Sequence, residues 1–255
     1  MSSDIPGIPP APPTPPLPPV PPPPPGGGWV PPPPPGAASA EGLPWERRAE
    51  IGFLNGLVET VKLLVTNPVE AFRRAKEKGD YAEPLVFAII VSWVGVAASS
   101  IWSGLFGQAW MAFLPPDVKE KLGGAFATGA GATMIQIGIA PILVLVGLFV
   151  GAAIYHVSFL IVGATKDSAS GFEGTFRVVA YSSVSQLANL IPFAGGLAAV
   201  VWNLVLMVIG AARLHRTTQG KAIAGVLIPM LLCCVCMVVA AVAVIGGLAA
   251  AFANH

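Results

Sequence analysis

Few residues in this sequence could do chemistry, and most of them sit among apolar neighbours. Cys233, Cys234 and Cys236 fall within one such run. On a helix 233 and 236 share a face and 234 stands aside, which is too few ligands and too little polar support for a metal. They read as small, polarizable packing residues at a mid-bilayer depth unsuited to palmitoylation. His156 is the one ionisable residue well inside an apolar run. It reads either as a proton-sensitive switch or as a neutral imidazole hydrogen-bonded within a bundle. Gln136, Gln186, Asn189 and Asn203 read as hydrogen-bonding groups between helices. With His156, three of them (Gln136, Asn189 and Asn203) could instead line a polar path. His215, in the basic loop "RLHRTTQGK", reads as solvated.

The reactions that leave a motif are missing. There is no HExxH, no GxSxG and no phosphate-cradling loop. No Asp or Glu occurs in 84–116, 122–165, 178–212 or 222–255, so the sequence offers no buried carboxylate. Proton-coupled transporters and intramembrane aspartyl proteases rely on such groups. The expectation is a chain without catalytic residues, metal or cofactor, and without the basic footprint that nucleic acid requires.

The elements that must position these residues follow from composition. Of 255 residues 54% are hydrophobic and 11% charged, against about 25% charged in soluble domains. The expected fold is all-α: an integral membrane bundle of five transmembrane helices, at 84–106, 133–163, 176–192, 194–212 and 222–252. Pro84 opens the first span, about 35 Å of helix and long enough to cross. Tyr81 and Trp102 stand where interfacial aromatics would, and Pro141 is placed to kink the second span. Gly147 and Gly151 make a GxxxG step, suited either to a homo-oligomer contact or to packing within one chain.

Two segments precede the bundle. Residues 1–44 hold 20 of the 27 prolines, so they form a disordered polyproline tail, a docking strip for a protein partner or a solvated spacer. Residues 45–83 read as amphipathic interfacial helices. In 50–68 the residues Phe53, Leu54, Leu57, Val58, Val61, Leu64 and Val65 recur at helical spacing. Asn67 is placed to cap a second helix, with Pro68 at its first position and Glu70 completing a capping box, and Gly79 to stop it. Glu70–Arg74 and Arg73–Glu77 are spaced as ion pairs. Arg73, Arg74, Lys76 and Lys78 suit anionic headgroups or a plain solvated face. With the N-terminus cytoplasmic and the C-terminus outside, twelve of the fourteen Lys and Arg lie inside, and only Lys119 and Lys121 outside, the positive-inside pattern.

The segment "TNPVEAFRRAKEKGDYAEPLVFAIIV" resembles the opening of the Yip family, the Ypt/Rab-interacting membrane proteins, in its bacterial branch. Asn67, Pro68, Phe72 and Pro84 carry the likeness. The stretch 170–222 resembles the family's second signature through Phe176, Tyr181, Ser182, Trp202, Gly210, Gly220, Lys221 and Ala222. The resemblance covers about residues 55–250. It implies a five-span bundle of the bacterial inner membrane, and a non-enzymatic adaptor or membrane-organising scaffold in contact with the bilayer. The alternative left by the residues is a transporter or channel component.

Overall fold

The computed structural model describes residues 42–112, 116 and 130–253. The tail up to residue 41, Lys119, Lys121 and the last two residues lie outside them. Every regular element among the described residues is helical.

The expected boundary of the tail at 44 is corrected, because Leu43 and Pro44 already belong to the fold. Leu43 is fully buried, and a 3-10 helix runs over Pro44–Arg47. It continues into α1, Arg48–Ile51. Gly52 then takes φ 92°, a conformation that a side chain disfavours. The expected continuous helix from 50 therefore breaks and restarts as α2, Phe53–Thr66.

At about 100° per residue α2 has three faces. Gly56, Thr60 and Leu64 are buried. Leu54, Val58 and Val65 form an exposed apolar stripe beside them. Asn55, Glu59, Lys62 and Thr66 form an exposed polar one.

Helix α3, Pro68–Arg74, starts as its sequence dictates. The Asn67 side chain accepts from the Glu70 amide, with Pro68 at the first position. Two expectations fail here. Ala75 turns extended (ψ 134°) and ends the helix at Arg74, ahead of Gly79. The Glu70 carboxylate does not close a capping box, because it is taken by Arg73 and Arg74, each at 2.6 Å.

The bundle consists of α4 (Ala82–Ala112), α5 (Ala130–Ile161), α6 (Gly171–Ser182), α7 (Gly195–Leu214) and α8 (Gln219–Ala253). A 3-10 helix, Ser183–Leu190, prolongs α6. Four helical segments are long and apolar enough to cross a membrane: Ala82–Phe106, Thr133–Ile161, Gly195–Leu214 and Gln219–Val244. The expected span at 176–192 is not among them. Its residues are too polar and its α-helix is only 12 residues long, so the count of five is met by four on these grounds.

That polar segment nevertheless runs beside α4 for most of its length. Tyr81 meets Phe176 at 5.1 Å between ring centroids, and Phe106 meets Phe193 at 4.7 Å. Between them Gly95 lies so close to the Gln186 carbonyl that a Cβ there would collide with it.

Candidate functional site

One end of the bundle gathers nearly all the described charge. It holds the start of α4, the end of α5, the start of α6, the end of α7 and the start of α8. Two sets of contacts attach the segment 42–51 and its neighbouring helices to this end, and a third ties the bundle helices to one another there.

The first is a buried ion pair. Glu46 and Arg177, 131 residues apart, meet at 2.9 Å with both side chains 0% exposed. The same Glu46 oxygen accepts from the Tyr181 hydroxyl at 2.8 Å. The other oxygen accepts from the Leu43 and Lys76 amides at 2.8 and 3.2 Å. Arg177 also donates to Glu173 and to the Asp80 carbonyl, each at 3.0 Å. A buried pair is tolerable only when its remaining lone pairs and protons are satisfied in this way. The expectation of no buried carboxylate is therefore corrected. Glu46 comes from outside the spans, where a search of the apolar runs could not meet it.

The second is Trp45, fully buried. Its amide donates to Thr60 Oγ1 and its indole to the Glu83 carbonyl, both at 2.7 Å. Its ring meets Phe53 at 5.2 Å and Phe87 at 6.0 Å, with Arg48 over it at 4.7 Å. Segment, α2 and α4 are thereby joined through one side chain.

The third is a chain of hydroxyls and imidazoles whose polarity can be deduced. The Leu214 carbonyl can only accept, so Ser170 donates to it at 3.1 Å. Ser168 must then supply the proton of the 3.1 Å Ser168–Ser170 contact. His215 Nδ1–H donates to Ser168 at 2.8 Å, and its Nε2 accepts from Thr175 at 2.9 Å. Thr175 in turn accepts from His156 Nδ1–H at 2.9 Å. Every hydroxyl donates once. His215 is neutral in this arrangement, and His156 is hydrogen-bonded within the bundle through its Nδ1–H. His215 is buried, not solvated. Burial first, and then His156, hold it down to about 4.

The cations expected to meet headgroups are mostly engaged. Arg73 and Arg74 share Glu70, which they hold down at about 2, Arg73's hydrogen bond being the largest cause. Lys76 pairs with Glu83 at 3.2 Å. Lys78 has no ion-pair partner among the described residues. The expected Arg73–Glu77 pair is absent because Glu77 takes Arg216 at 2.6 Å.

The positions that carried the resemblance converge. Phe72 fills the space over Gly210, where a Cβ would lie 2.9 Å from its ring and from Val178. Phe176, Tyr181 and Pro84 are buried. Lys221 donates to the Gly163 carbonyl at 3.4 Å, while Gly220 faces open space. Trp202 packs against the core with its indole N–H buried and without a partner among the described residues.

The intramembrane polar residues separate. Gln136 is exposed on α5, and His156 belongs to the imidazole chain. Asn189 and Asn203 face a common cavity with Tyr155 and Gln186. Glu46, Trp45, Arg177 and Thr175 are the site residues that sequence reasoning missed, and His215 is one that it read as solvated. Only the local pattern Leu-Pro-Trp-Glu directly after the proline run could have flagged the first two.

A family model described as Yip1 domain matches residues 62–241. No curated protein matches the chain, and no solved structure does.

Proposed function

The chain belongs to the Yip1 domain family, and from that premise we propose that it is a non-enzymatic membrane scaffold whose tail acts as an adaptor at the cytoplasmic surface. The observation that carries this reading is the Glu46 attachment. It binds residues 43–46 to α6 through a buried, fully satisfied ion pair. Whatever the tail captures is then tethered to a fixed point of the charged end. Membership supports the absence of catalysis, since the family is not known for it.

The orientation is part of the proposal. The end bearing Glu46, Arg177, Arg216 and Lys221 faces the cytoplasm of a bacterium, in accordance with the positive-inside bias. There α2 lies in the headgroup boundary, its apolar stripe to the acyl chains and its polar stripe to water. The cations act on the negative leaflet as a collective field, with Lys78 the least engaged of the four expected ones.

The test is crosslinking in native membranes followed by capture, comparing the full chain with one lacking residues 1–41. The cut stops at 41 because removing Leu43 and Pro44 would disturb the Glu46 attachment as well. A specific neighbour lost with the tail supports the adaptor. An unchanged set of neighbours makes the tail a spacer and removes the adaptor half of this reading.

A further inference from the structure

A cavity of about 270 Å³ lies between the 3-10 helix, α5, α7 and α8. Four uncharged polar side chains face it: Tyr155, Gln186, Asn189 and Asn203. Their mutual contacts leave capacity over. Asn189 Nδ2 donates to Gln186 Oε1 at 2.9 Å, and Ser185 reaches Asn203 Oδ1 only at 3.5 Å. The amide NH₂ groups of Gln186 and Asn203, the carbonyl of Asn189 and the Tyr155 hydroxyl have no protein partner among the described residues. A carboxamide left unmatched within a bilayer is costly, so water or a solute that enters must meet these groups.

The cavity also has a direction. Asn203 stands 11 residues before Leu214, about 16 Å from the charged end. Gly196, the second residue of α7, and Asn189, near the close of the 3-10 helix, place it towards the opposite end. The walls contain no Asp, Glu, Lys, Arg or His. A charged ligand would lose its hydration there and gain no counter-charge. Donors and acceptors are both on offer, so a fitting ligand both accepts and donates. The volume falls just below the roughly 300–1,000 Å³ of drug-sized sites.

We infer that this cavity is a binding site for a small uncharged solute that donates and accepts hydrogen bonds, of the acetamide class, reached from the face opposite the cations. The inference is independent of the adaptor reading, since it uses none of the residues of the charged end.

The test places a reporter thiol on the cavity wall of the full chain, with Cys233, Cys234 and Cys236 replaced by Ala. Val200→Cys leaves all four polar groups intact, and Asn203→Cys is a second reporter should the first not fold. A membrane-impermeant thiol reagent is applied to sealed vesicles of each orientation. Modification is expected from the face opposite the cations only. Acetamide should slow it several-fold, while equal concentrations of acetate and guanidinium should not. Adding Asn203→Asp to the Val200→Cys reporter should transfer protection from acetamide to guanidinium. Absence of reaction from either face, or reaction from the cation-bearing face, overturns the route. Equal protection by acetate, or none by acetamide, overturns the ligand class.

Discussion

Glu46 and Arg177 define the strongest residue-level expectation. Arg177→Met removes the guanidinium but leaves a carboxylate in a site with no exposure. Breaking one partner of a buried pair costs about 3–5 kcal/mol, and the loss should be read as a lower unfolding temperature in detergent. Glu46→Met on the same background should recover part of it, since the stranded charge is gone. A loss from Arg177→Met no larger than that of a surface arginine would show that the pair is not a structural anchor. His215 gives a pH dependence whose sign follows from its depressed value of about 4. An unfolded histidine takes its proton near 6.5, so between these values the unfolded chain binds more protons and acid favours it. Its contribution is fully present above pH 6.5 and is lost as the pH falls towards 4. Thermal unfolding across that window should lose stability in the native chain and lose less in His215→Gln. Neither group was legible in the sequence. Glu46 stands beside a proline run and Arg177 at the edge of an apolar one, and their pairing depends on a contact over 131 residues. His156 was legible, because an ionisable residue in an apolar run stands out whatever its partner.

At the scale of elements, α2 is the case in which periodicity told most of the truth. Its repeat predicted a helix with an apolar side, but only packing divides that side into a buried row through Thr60 and Leu64 and an exposed row through Leu54, Val58 and Val65. If the exposed row meets acyl chains, Leu54→Trp should be quenched by lipids brominated on the chain. Asn55→Trp, on the polar row, should be quenched much less; equal quenching would remove the interfacial placement of α2. The glycines separate in the same way. A Cβ at Gly95 collides with the Gln186 backbone, which cannot rotate away. Gly95→Ala should therefore cost about 1–3 kcal/mol, the usual range for overpacking. A Cβ at Gly147 or Gly151 would meet nothing within 4 Å among the described residues, so alanine at either should not lower the unfolding temperature of the monomer. The GxxxG step thus makes no close helix contact among the described residues. Any loss on substitution should appear in the oligomeric state, measured by light scattering in detergent. The sequence could not decide between these uses, because spacing gives the face of a helix but not what stands opposite.

For the whole molecule, the apolar runs made four of the crossing helices legible within a few residues of their ends. The fifth segment is harder because it breaks the rule that the others follow. Gly171–Leu190 carries Thr175, Arg177, Ser182, Ser183, Ser185, Gln186 and Asn189, and it fails on hydropathy. Hydropathy measures what faces lipid, and Thr175 through Ser185 are buried apart from Val179. Length gives a different answer. Twelve α-helical and eight 3-10 residues rise about 34 Å in total, against a hydrocarbon core of about 30 Å. The rings of Phe176 and Phe193 meet Tyr81 and Phe106, which lie at opposite ends of a helical segment long and apolar enough to cross. The composite segment is therefore expected to cross as well, shielded by α4 and α7. The two counts predict opposite geometries. Five crossings put Gly42 and Ala253 on opposite sides of the membrane, and four put them on the same side. Reporter fusions active on one side only, joined ahead of residue 42 and after residue 253, should give opposite signals. A third reporter, in the turn at 192–194, should match the C-terminal one. Like signals from the two ends would mean that the segment re-enters without crossing. The cavity facing Asn189 and Asn203 would then open on the cytoplasmic side, and the charge asymmetry would have to be recounted over four spans.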